Sequence, residues 1–316
     1  MQNPILGFGC TKLTHNNNER LAISNLETAY DVGITYFDTA RLYGFGRAET
    51  ILGKFIKNKR DKVTVCSKVG LIPRELPAFL NLRMINIVRA GLNKLSTIKE
   101  KFVDATNGLS SEMVFSPQEA EESLNRSLKE LQTDYVDYLL LHEYNFQTAN
   151  RDEVIVFLQK MKTKGKIKSF GIGSDYRKLP QDLNKIDPAY KMIQFESNIL
   201  NPVINSFSKN NNQLISIHSI FKDIMSMSSK LNASPKLLKT CNEILGVDLK
   251  DRQNLAAIFL EAAKKLNPDG VVLFTSKNNQ SIKNNKSNWE RNQFTDEQIS
   301  LFQNAIQKKP VHFQKS

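Results

Sequence analysis

Four residues whose side chains can hold or transfer protons follow strand-like runs in the first half of the chain. Asp38 follows ITYF, Tyr43 lies five residues later in a glycine-containing loop, Lys68 ends KVTVCSK and His142 ends YVDYLLLH. A free tyrosine, with a pKa of about 10, delivers a proton poorly near neutral pH. A lysine cation within ~4–6 Å favours the phenolate, and an aspartate keeps such a lysine charged and oriented. We therefore expect Lys68 to lower the pKa of Tyr43 and Tyr43 to act as a general acid.

Each of these residues also has a commoner structural role when it is taken alone. Asp38 could cap a turn, Tyr43 could line a half-buried wall, and Lys68 could be a surface charge at a strand end. His142 alone is more often a hydrogen-bonded histidine than a catalyst. Their joint position at the same ends of successive strands is what favours catalysis, since active sites of parallel barrels lie at that end.

The elements that would position these residues alternate along the whole chain. Runs rich in β-branched and aromatic residues alternate with segments of helical period, which is typical of βα units around a parallel sheet. Strands are predicted at residues 5–8, 34–37, 62–67, 136–141, 167–173, 191–195, 214–217 and 271–274. A (β/α)8 TIM barrel takes roughly 250 residues. We therefore predict one barrel domain over residues 1–316 with additional loops.

Helix signals lie between the predicted strands. The clearest is at Ser116, a cap candidate that is followed by Pro117 and, three residues on, by Glu119. Further helices are predicted around RKLPQDLNKI at 177–186, weakly in NPVINSFSKNN at 201–211, and in TDEQISLFQNAIQ at 295–307.

Two connections are longer than an ordinary βα loop. They cover residues 70–115, after the third strand, and 221–250, after the seventh. Both leave the strand ends at which a barrel builds its active site. The first is interpreted as a lid or substrate-binding loop, or alternatively as a peripheral addition with small helices of its own.

The composition argues against several classes of protein. The net charge is +12, but the lysines are scattered among asparagines instead of forming a basic stripe with aromatics, so no nucleic-acid partner is expected. No apolar run approaches the ~18 residues of a membrane span, and the start does not read as a signal peptide, so we expect a cytoplasmic protein without membrane contact. The three cysteines favour neither a disulfide framework nor a metal site, and are interpreted as buried, reduced thiols.

The segments that contain Asp38, Tyr43, Lys68 and His142 resemble those that carry the catalytic tetrad of the aldo-keto reductase family. The resemblance runs from LGFGC at Leu6 to TSKNNQSIKNN, which ends at residue 285. YGFGRAE, the insertion after the third strand and FSPQEAEESLNRSLKELQTDYVDYLLLH are most similar to the bacterial branch that contains aldose (sugar) dehydrogenases. The resemblance implies an NAD(P)-dependent oxidoreductase acting on a small aldehyde, ketone or sugar, in which His142 bonds the substrate oxygen.

The resemblance also implies a set of cofactor contacts. In the family, backbone groups at the first strand approach the nicotinamide, a glutamine bonds its carboxamide, and the ends of the seventh and eighth strands hold the phosphates and adenine. The matching positions here are Gly9, Cys10, Gln194, Ser219, Lys222, Lys277 and Asn285. The family's Ser-Asn pair after the fifth strand is replaced by Gly173 and Ser174, of which Ser174 still offers a hydrogen bond.

The choice between the two nicotinamide cofactors depends on the segment after the eighth strand. Lys277 suits the 2′-phosphate of NADP, whereas Ser281 stands where NADP-preferring members usually carry an arginine. NADP(H) is favoured over NAD(H), and NAD stays open. Glu143 and Tyr144, next to His142, are the candidates for contacts with sugar hydroxyls, although Glu143 could equally be a solvated charge.

Two other functions compete with this one. A regulatory protein on the same barrel would bind the cofactor and show little turnover. An aldolase-like barrel would use Lys68 as a Schiff-base nucleophile, but that function leaves Tyr43 and the eighth-strand segment without a role.

Overall fold

The structure is a computed structural model that describes residues 3–15, 18–73, 110–111, 116–146, 151–208 and 213–307. Eight parallel strands form a closed barrel in which each strand pairs with its neighbours in the sequence and the last pairs with the first. The strands are β1 Ile5–Gly9, β2 Tyr36–Asp38, β3 Thr64–Val69, β4 Val136–His142, β5 Ile167–Gly173, β6 Met192–Glu196, β7 Leu214–His218 and β8 Val271–Phe274. The predicted (β/α)8 barrel is therefore confirmed.

Nine α-helices occur in the described part of the chain, and they are α1 Glu19–Asp31, α2 Arg47–Ile56, α3 Pro117–Leu131, α4 Arg151–Thr163, α5 Ile224–Ala233, α6 Pro235–Leu245, α7 Arg252–Leu266, α8 Asn279–Arg291 and α9 Asp296–Gln307. Side chains cap several of their first turns, as the sequence indicates at α3, where the Ser116 hydroxyl accepts from the Glu119 amide. None of these helices has the length and apolar character needed to cross a membrane.

The hydrophobic core has two layers separated by the sheet, and a third cluster lies mainly among helices α5, α6, α7 and α9. The larger layer lies between the outer face of the strands and the helices, and includes Leu26, Leu52, Leu124 and Phe157. The smaller one fills the barrel interior with Tyr36, Cys66, Leu140, Met192, Val271 and Leu273. Because this interior is packed with side chains, a ligand has access only at an end of the barrel.

Two predicted elements differ from the structure. The segment around 177–186 forms two short 3-10 turns, Tyr176–Lys178 and Leu183–Lys185, instead of one α-helix. Pro180 between them lacks the backbone N–H that a continuous helix needs. The weak helix predicted at 201–211 is a 3-10 turn, Val203–Ser206, although residues 209–211 lie outside the described range.

The structure describes one of the two predicted long connections fully and the other only in part. The one after β7 contains helices α5 and α6, which pack their apolar faces on α7 and α9. Most of the 70–115 insertion lies outside the described residues, so its predicted role as a lid stays a prediction. Within the described part, Ile72–Pro73 pairs antiparallel with Ser110–Ser111.

Candidate active site

The candidate site lies at the carboxyl ends of β2, β3 and β4. Strand register places Asp38 beside Cys66 of β3, and Lys68 beside Leu140 of β4. Side chains of alternate residues in a strand share a face. Since Cys66 and Leu140 belong to the barrel interior, Lys68 and His142 also face inward, two residues closer to the carboxyl end. The structure therefore brings together the residues that the sequence places at successive strand ends.

Lys68 is the centre of the hydrogen-bond network. Its Nζ atom lies 2.5 Å from Asp38 Oδ1, 3.0 Å from the Thr39 carbonyl oxygen and 3.4 Å from the Tyr43 hydroxyl. The Lys68 side chain is only 2% exposed. A buried ammonium needs a partner for each of its donors. The three acceptors supply them, so the position of the charge relative to the Tyr43 hydroxyl is fixed.

Electrostatics keep Lys68 charged and Tyr43 protonated. Burial alone would lower the pKa of Lys68, but the carboxylate of Asp38 reverses this and raises it overall. Loss of hydration raises the pKa of Tyr43, and the positive charge of Lys68 only partly counteracts that effect. The expected direction of the Lys68 effect is correct, whereas the expectation of a lowered Tyr43 pKa is wrong for this structure. The Tyr43 hydroxyl is therefore protonated at neutral pH and can donate that proton.

His142 completes the group as a neutral imidazole. Its ring meets the Tyr43 ring edge to face, with the ring centres 6.2 Å apart. Burial, followed by the positive charge of Lys68, lowers the pKa of His142 to about 3. A neutral imidazole carries one N–H donor and one acceptor. His142 is therefore suited to donate a hydrogen bond rather than a proton.

The loop that carries Tyr43 is held by an ion pair to a buried carboxylate, which the sequence analysis missed. Arg41 Nη1 lies 3.5 Å from Glu49 Oε2 on α2, and the other oxygen of Glu49 accepts a 2.7 Å hydrogen bond from Ser67 of β3. Glu49 is fully buried. Gly46, at a φ of 86°, lies so close to the Arg41 guanidinium that a Cβ atom there would collide with it. This packing connects the Tyr43 loop to the strand that carries Lys68.

Comparison with known proteins identifies the family. A sequence model of the Aldo/keto reductase family matches residues 5–307. The chain belongs to the aldo/keto reductase family. D-threo-aldose 1-dehydrogenase of Pseudomonas sp. is 31% identical over 179 residues, covering 54% of this chain and 50% of that protein. An uncharacterized oxidoreductase of Bacillus subtilis (strain 168) is 30% identical over 171 residues, covering 54% and 44%. The chain thus spans about half the length of these curated relatives.

Solved structures of the family share the barrel along nearly the whole chain. The holo form of an aldo-keto reductase from Bacillus halodurans has a TM-score of 0.67 at 20% identity, and the match covers 96% of this chain and 95% of that one. An aldo-keto reductase from Klebsiella pneumoniae in complex with NADPH has a TM-score of 0.62 at 17% identity, covering 96% and 90%. At these identities, the likeness establishes the fold alone.

The residues predicted to contact the nicotinamide lie at the same barrel end as the tetrad. Gly9 is paired with Asp38 in the sheet register, and Cys10 follows it, fully buried. Gln194 donates from Nε2 to Asp38 Oδ2 over 2.8 Å. The Ser174 hydroxyl donates to the Tyr144 carbonyl oxygen over 2.8 Å. Gln194 is thus part of the tetrad network, whereas Ser174 bonds to the neighbouring loop.

The residues predicted to hold the phosphates and adenine lie at the ends of β7 and β8 and on α8. Ser219 adopts a positive φ of 61°, unusual for a residue with a side chain. Lys222 pairs with Glu196 at 2.6 Å. Partial burial and the positive charge of Lys12 lower the pKa of Lys277. Asn285 is buried on α8. Lys277 therefore lies two residues before α8 and is influenced by a second positive charge, that of Lys12.

His218 is a site residue that the sequence analysis did not find. It ends β7 two residues after Ser216 and so faces the interior, with its Nδ1 atom 2.9 Å from the Ser219 hydroxyl oxygen. Burial lowers the pKa of His218, while the charges of Asp38 and Lys68 act on it in opposite directions. The run LISIH carries the same signal as YVDYLLLH, a histidine that ends a strand, and could have identified it.

Charged residues border this barrel end. Glu143, at a positive φ of 57°, pairs with Lys178 over 3.2 Å, and its side chain is 36% exposed, so both its role as a substrate contact and its role as a solvated charge stay open predictions. Tyr144 instead turns into the core, where it is 6% exposed and its ring packs on Phe146. Of the two residues predicted to contact sugar hydroxyls, only Glu143 places the polar end of its side chain at the rim.

Proposed function

We propose that this chain is an NAD(P)-dependent oxidoreductase that transfers a hydride between a nicotinamide and a carbonyl or alcohol substrate. The observation that carries the proposal is the position of Lys68 Nζ, within hydrogen-bonding distance of both Asp38 and the Tyr43 hydroxyl. A buried cation beside a phenol is the arrangement needed to stabilise a tyrosinate as it forms.

The residues of the chain act on the substrate oxygen. When bound, the nicotinamide supplies or accepts the hydride. Tyr43 donates its proton to the oxygen on which negative charge develops, and Lys68 stabilises the phenolate that remains. Asp38 holds Lys68 in place, and the neutral His142 donates a hydrogen bond that orients the oxygen. For alcohol oxidation, the same groups act in reverse.

The environment of Lys68 argues against a Schiff-base function. A lysine that attacks a carbonyl must be an uncharged amine, which usually requires a lowered pKa. Asp38 instead raises the pKa of Lys68, and all three of its hydrogen-bond acceptors lie within the protein. The amine is protonated and engaged, so it is not available as a nucleophile.

The residues at the barrel end fit a nicotinamide cofactor. The amide oxygen of Gln194 lies 3.6 Å from the position that a Cβ atom on Gly173 would take. Within the described residues, the buried Thr275 hydroxyl at the end of β8 has no hydrogen-bond partner. An acceptor beside a glycine and a buried free hydroxyl suit a flat, polar carboxamide. Gln194, Thr275 and the backbone of Gly9 would hold that end of the cofactor.

NADP(H) is the favoured cofactor because of the charge at the adenosine end. Lys277 has no carboxylate within ion-pairing distance among the residues that the structure describes, and its pKa is lowered in part by Lys12. A pair of lysines that lacks an acidic partner is stabilised by a phosphate. Lys277→Met should weaken NADPH binding about tenfold or more, on the scale of one charged hydrogen bond, and NADH binding by less than about threefold. Lys283→Met, on the exposed face of α8, is the matched control.

A polar, hydroxylated substrate fits the rim. The Glu143–Lys178 and Glu196–Lys222 pairs and His218 offer donors and acceptors around the opening. The similarity to D-threo-aldose 1-dehydrogenase supports the same substrate class. Three buried, unpaired cysteines also fit a reducing compartment, in support of a cytoplasmic location.

The direct test combines binding with turnover. The purified protein is titrated with NADPH and, separately, with NADH while nicotinamide fluorescence is followed, and is then screened against aldehydes, ketones and sugars. We expect binding of NADPH and reduction of at least one polar carbonyl. Binding without turnover of any substrate would favour the regulatory function, and binding of neither cofactor would contradict the proposal.

A further inference from the structure

Gln194 joins two parts of the site that belong to opposite sides of the barrel. Its Nε2 atom donates to Asp38 Oδ2 over 2.8 Å and to the Ser216 hydroxyl oxygen over 3.3 Å. All three residues are buried, with Gln194 3% exposed and Ser216 fully buried. The other Asp38 oxygen receives Lys68. Each oxygen of the Asp38 carboxylate therefore has its own donor, and Gln194 is the one that comes from β6.

Chemistry fixes the orientation of the Gln194 amide. The carboxylate that pairs with Lys68 can only accept hydrogen bonds, so the amide nitrogen must face it. The amide oxygen then lies on the other side, beside Gly173 at the end of β5. A glycine there leaves this oxygen accessible to a group in the barrel mouth.

We propose that Gln194 is a positioning residue that couples cofactor binding to the Asp38–Lys68 pair. The inference rests on the proposed function. The amide oxygen accepts from the carboxamide NH2 of the nicotinamide, and the amide nitrogen holds Asp38 Oδ2. Because an amide whose oxygen is engaged becomes a stronger donor at its nitrogen, binding at one end strengthens the hold on Asp38 at the other. Gln194 thereby helps to place the charge that Tyr43 needs.

Gln194→Glu separates this role from that of a simple cofactor contact. The substitution keeps the shape of the glutamine side chain but puts a second carboxyl group against Asp38, and two adjacent carboxyls share one proton. While protonated, the introduced carboxyl group donates to Asp38 as the amide does. As the pH rises and this proton leaves, repulsion replaces the hydrogen bond. We therefore expect kcat near the parental value at low pH and a fall of at least tenfold between about pH 5 and about pH 9, where kcat of the parent is flat.

A role as cofactor contact alone predicts the opposite. Once ionised, the introduced carboxylate would be a better acceptor for the carboxamide NH2, so raising the pH would leave kcat unchanged and would preserve or tighten NADPH binding. That result, in an otherwise folded variant, would overturn the proposal. Gln159→Glu, the same substitution on the exposed face of α4, is the control and should keep the parental pH profile.

A binding measurement tests the coupling without turnover. NADPH dissociation constants are measured for Gln194→Met, Asp38→Asn and the double variant. Coupling is reciprocal, so loss of the Asp38 carboxylate should itself weaken NADPH binding, and the double variant should bind no more weakly than Gln194→Met alone. Additive losses would overturn the proposal. Because the parent must bind NADPH and turn over a substrate first, failure of the proposed function would be recognised separately.

Discussion

Replacement of Asp38 by asparagine should destabilise the protein far more than loss of an exposed carboxylate. The Lys68 and Asp38 side chains are 2% and 5% exposed and lie 2.5 Å apart. Asp38→Asn keeps an amide oxygen that can accept from Lys68 but removes the negative charge, so the buried ammonium loses its ion-pair partner. Removal of one partner from a buried ion pair costs about 3–5 kcal/mol. We expect a decrease of this size in the free energy of unfolding near pH 7.

The pH dependence of the loss follows from the pKa of Lys68. In the parent, Asp38 raises this pKa, so the stabilisation is fully present below the unfolded value and is lost as the pH rises through the folded value. In Asp38→Asn, burial lowers the pKa of Lys68, so the variant gains stability as the pH rises towards about 10. The difference between parent and variant should therefore shrink as the pH rises.

Urea-induced unfolding near pH 7 and near pH 9.5 is the assay. The control is Glu19→Gln, which breaks the Glu19–Lys54 pair on the surface, where the two side chains are 40% and 44% exposed. That change should cost about 0.2–1 kcal/mol. Asp38→Asn combined with Lys68→Met should be more stable than Asp38→Asn alone, because no unpaired charge stays buried. A loss from Asp38→Asn no larger than the control would refute the reasoning.

Two further predictions concern the Tyr43 loop and the pH profile. Glu49→Gln removes the charge that holds Arg41 and so misplaces Tyr43. We expect kcat to fall about tenfold while NADPH affinity stays within about twofold. An equal fall in kcat for Glu243→Gln, the control at an exposed glutamate, would contradict this prediction. The kcat for reduction should be flat from about pH 5 to about pH 9, because the pKa of His142 is about 3 and that of Tyr43 is raised, and should fall as Tyr43 loses its proton above about pH 10. A change of kcat with a midpoint near pH 6.5 would contradict this prediction, because it would show that a histidine titrates in the reaction.

Local sequence patterns were enough to predict the barrel, whereas the choice of the tetrad also depended on the resemblance to the aldo-keto reductase family. The eighth strand, Val271–Phe274, coincides with the prediction, and β1 and β4 end one residue later than expected. These strands could be found because each is a short apolar run bounded by turn residues. The tetrad could be found because a barrel brings the ends of consecutive strands together, so that sequence order translates into spatial order.

Contacts between distant elements could not be predicted in the same way. Gln194 and Asp38 are 156 positions apart, and their hydrogen bond exists only because the closed barrel has a narrow interior. The pKa of Tyr43 is raised mainly because its hydroxyl loses hydration on folding. A local sequence pattern does not show how much hydration a side chain loses. The Arg41–Glu49 pair was missed because a glutamate in the first turn of a helix usually faces solvent.

The most direct test of the central claim compares the parent with Tyr43→Phe. Both proteins are titrated with NADPH, and the initial rate of NADPH oxidation is then measured with the best carbonyl substrate of the parent. Phenylalanine keeps the ring that packs against His142 and removes only the hydroxyl. We predict NADPH binding within about twofold and a rate at least about a hundredfold lower, since general acid catalysis contributes about 10²–10⁴-fold. A Tyr43→Phe protein that reduces the substrate at the parental rate would contradict the account.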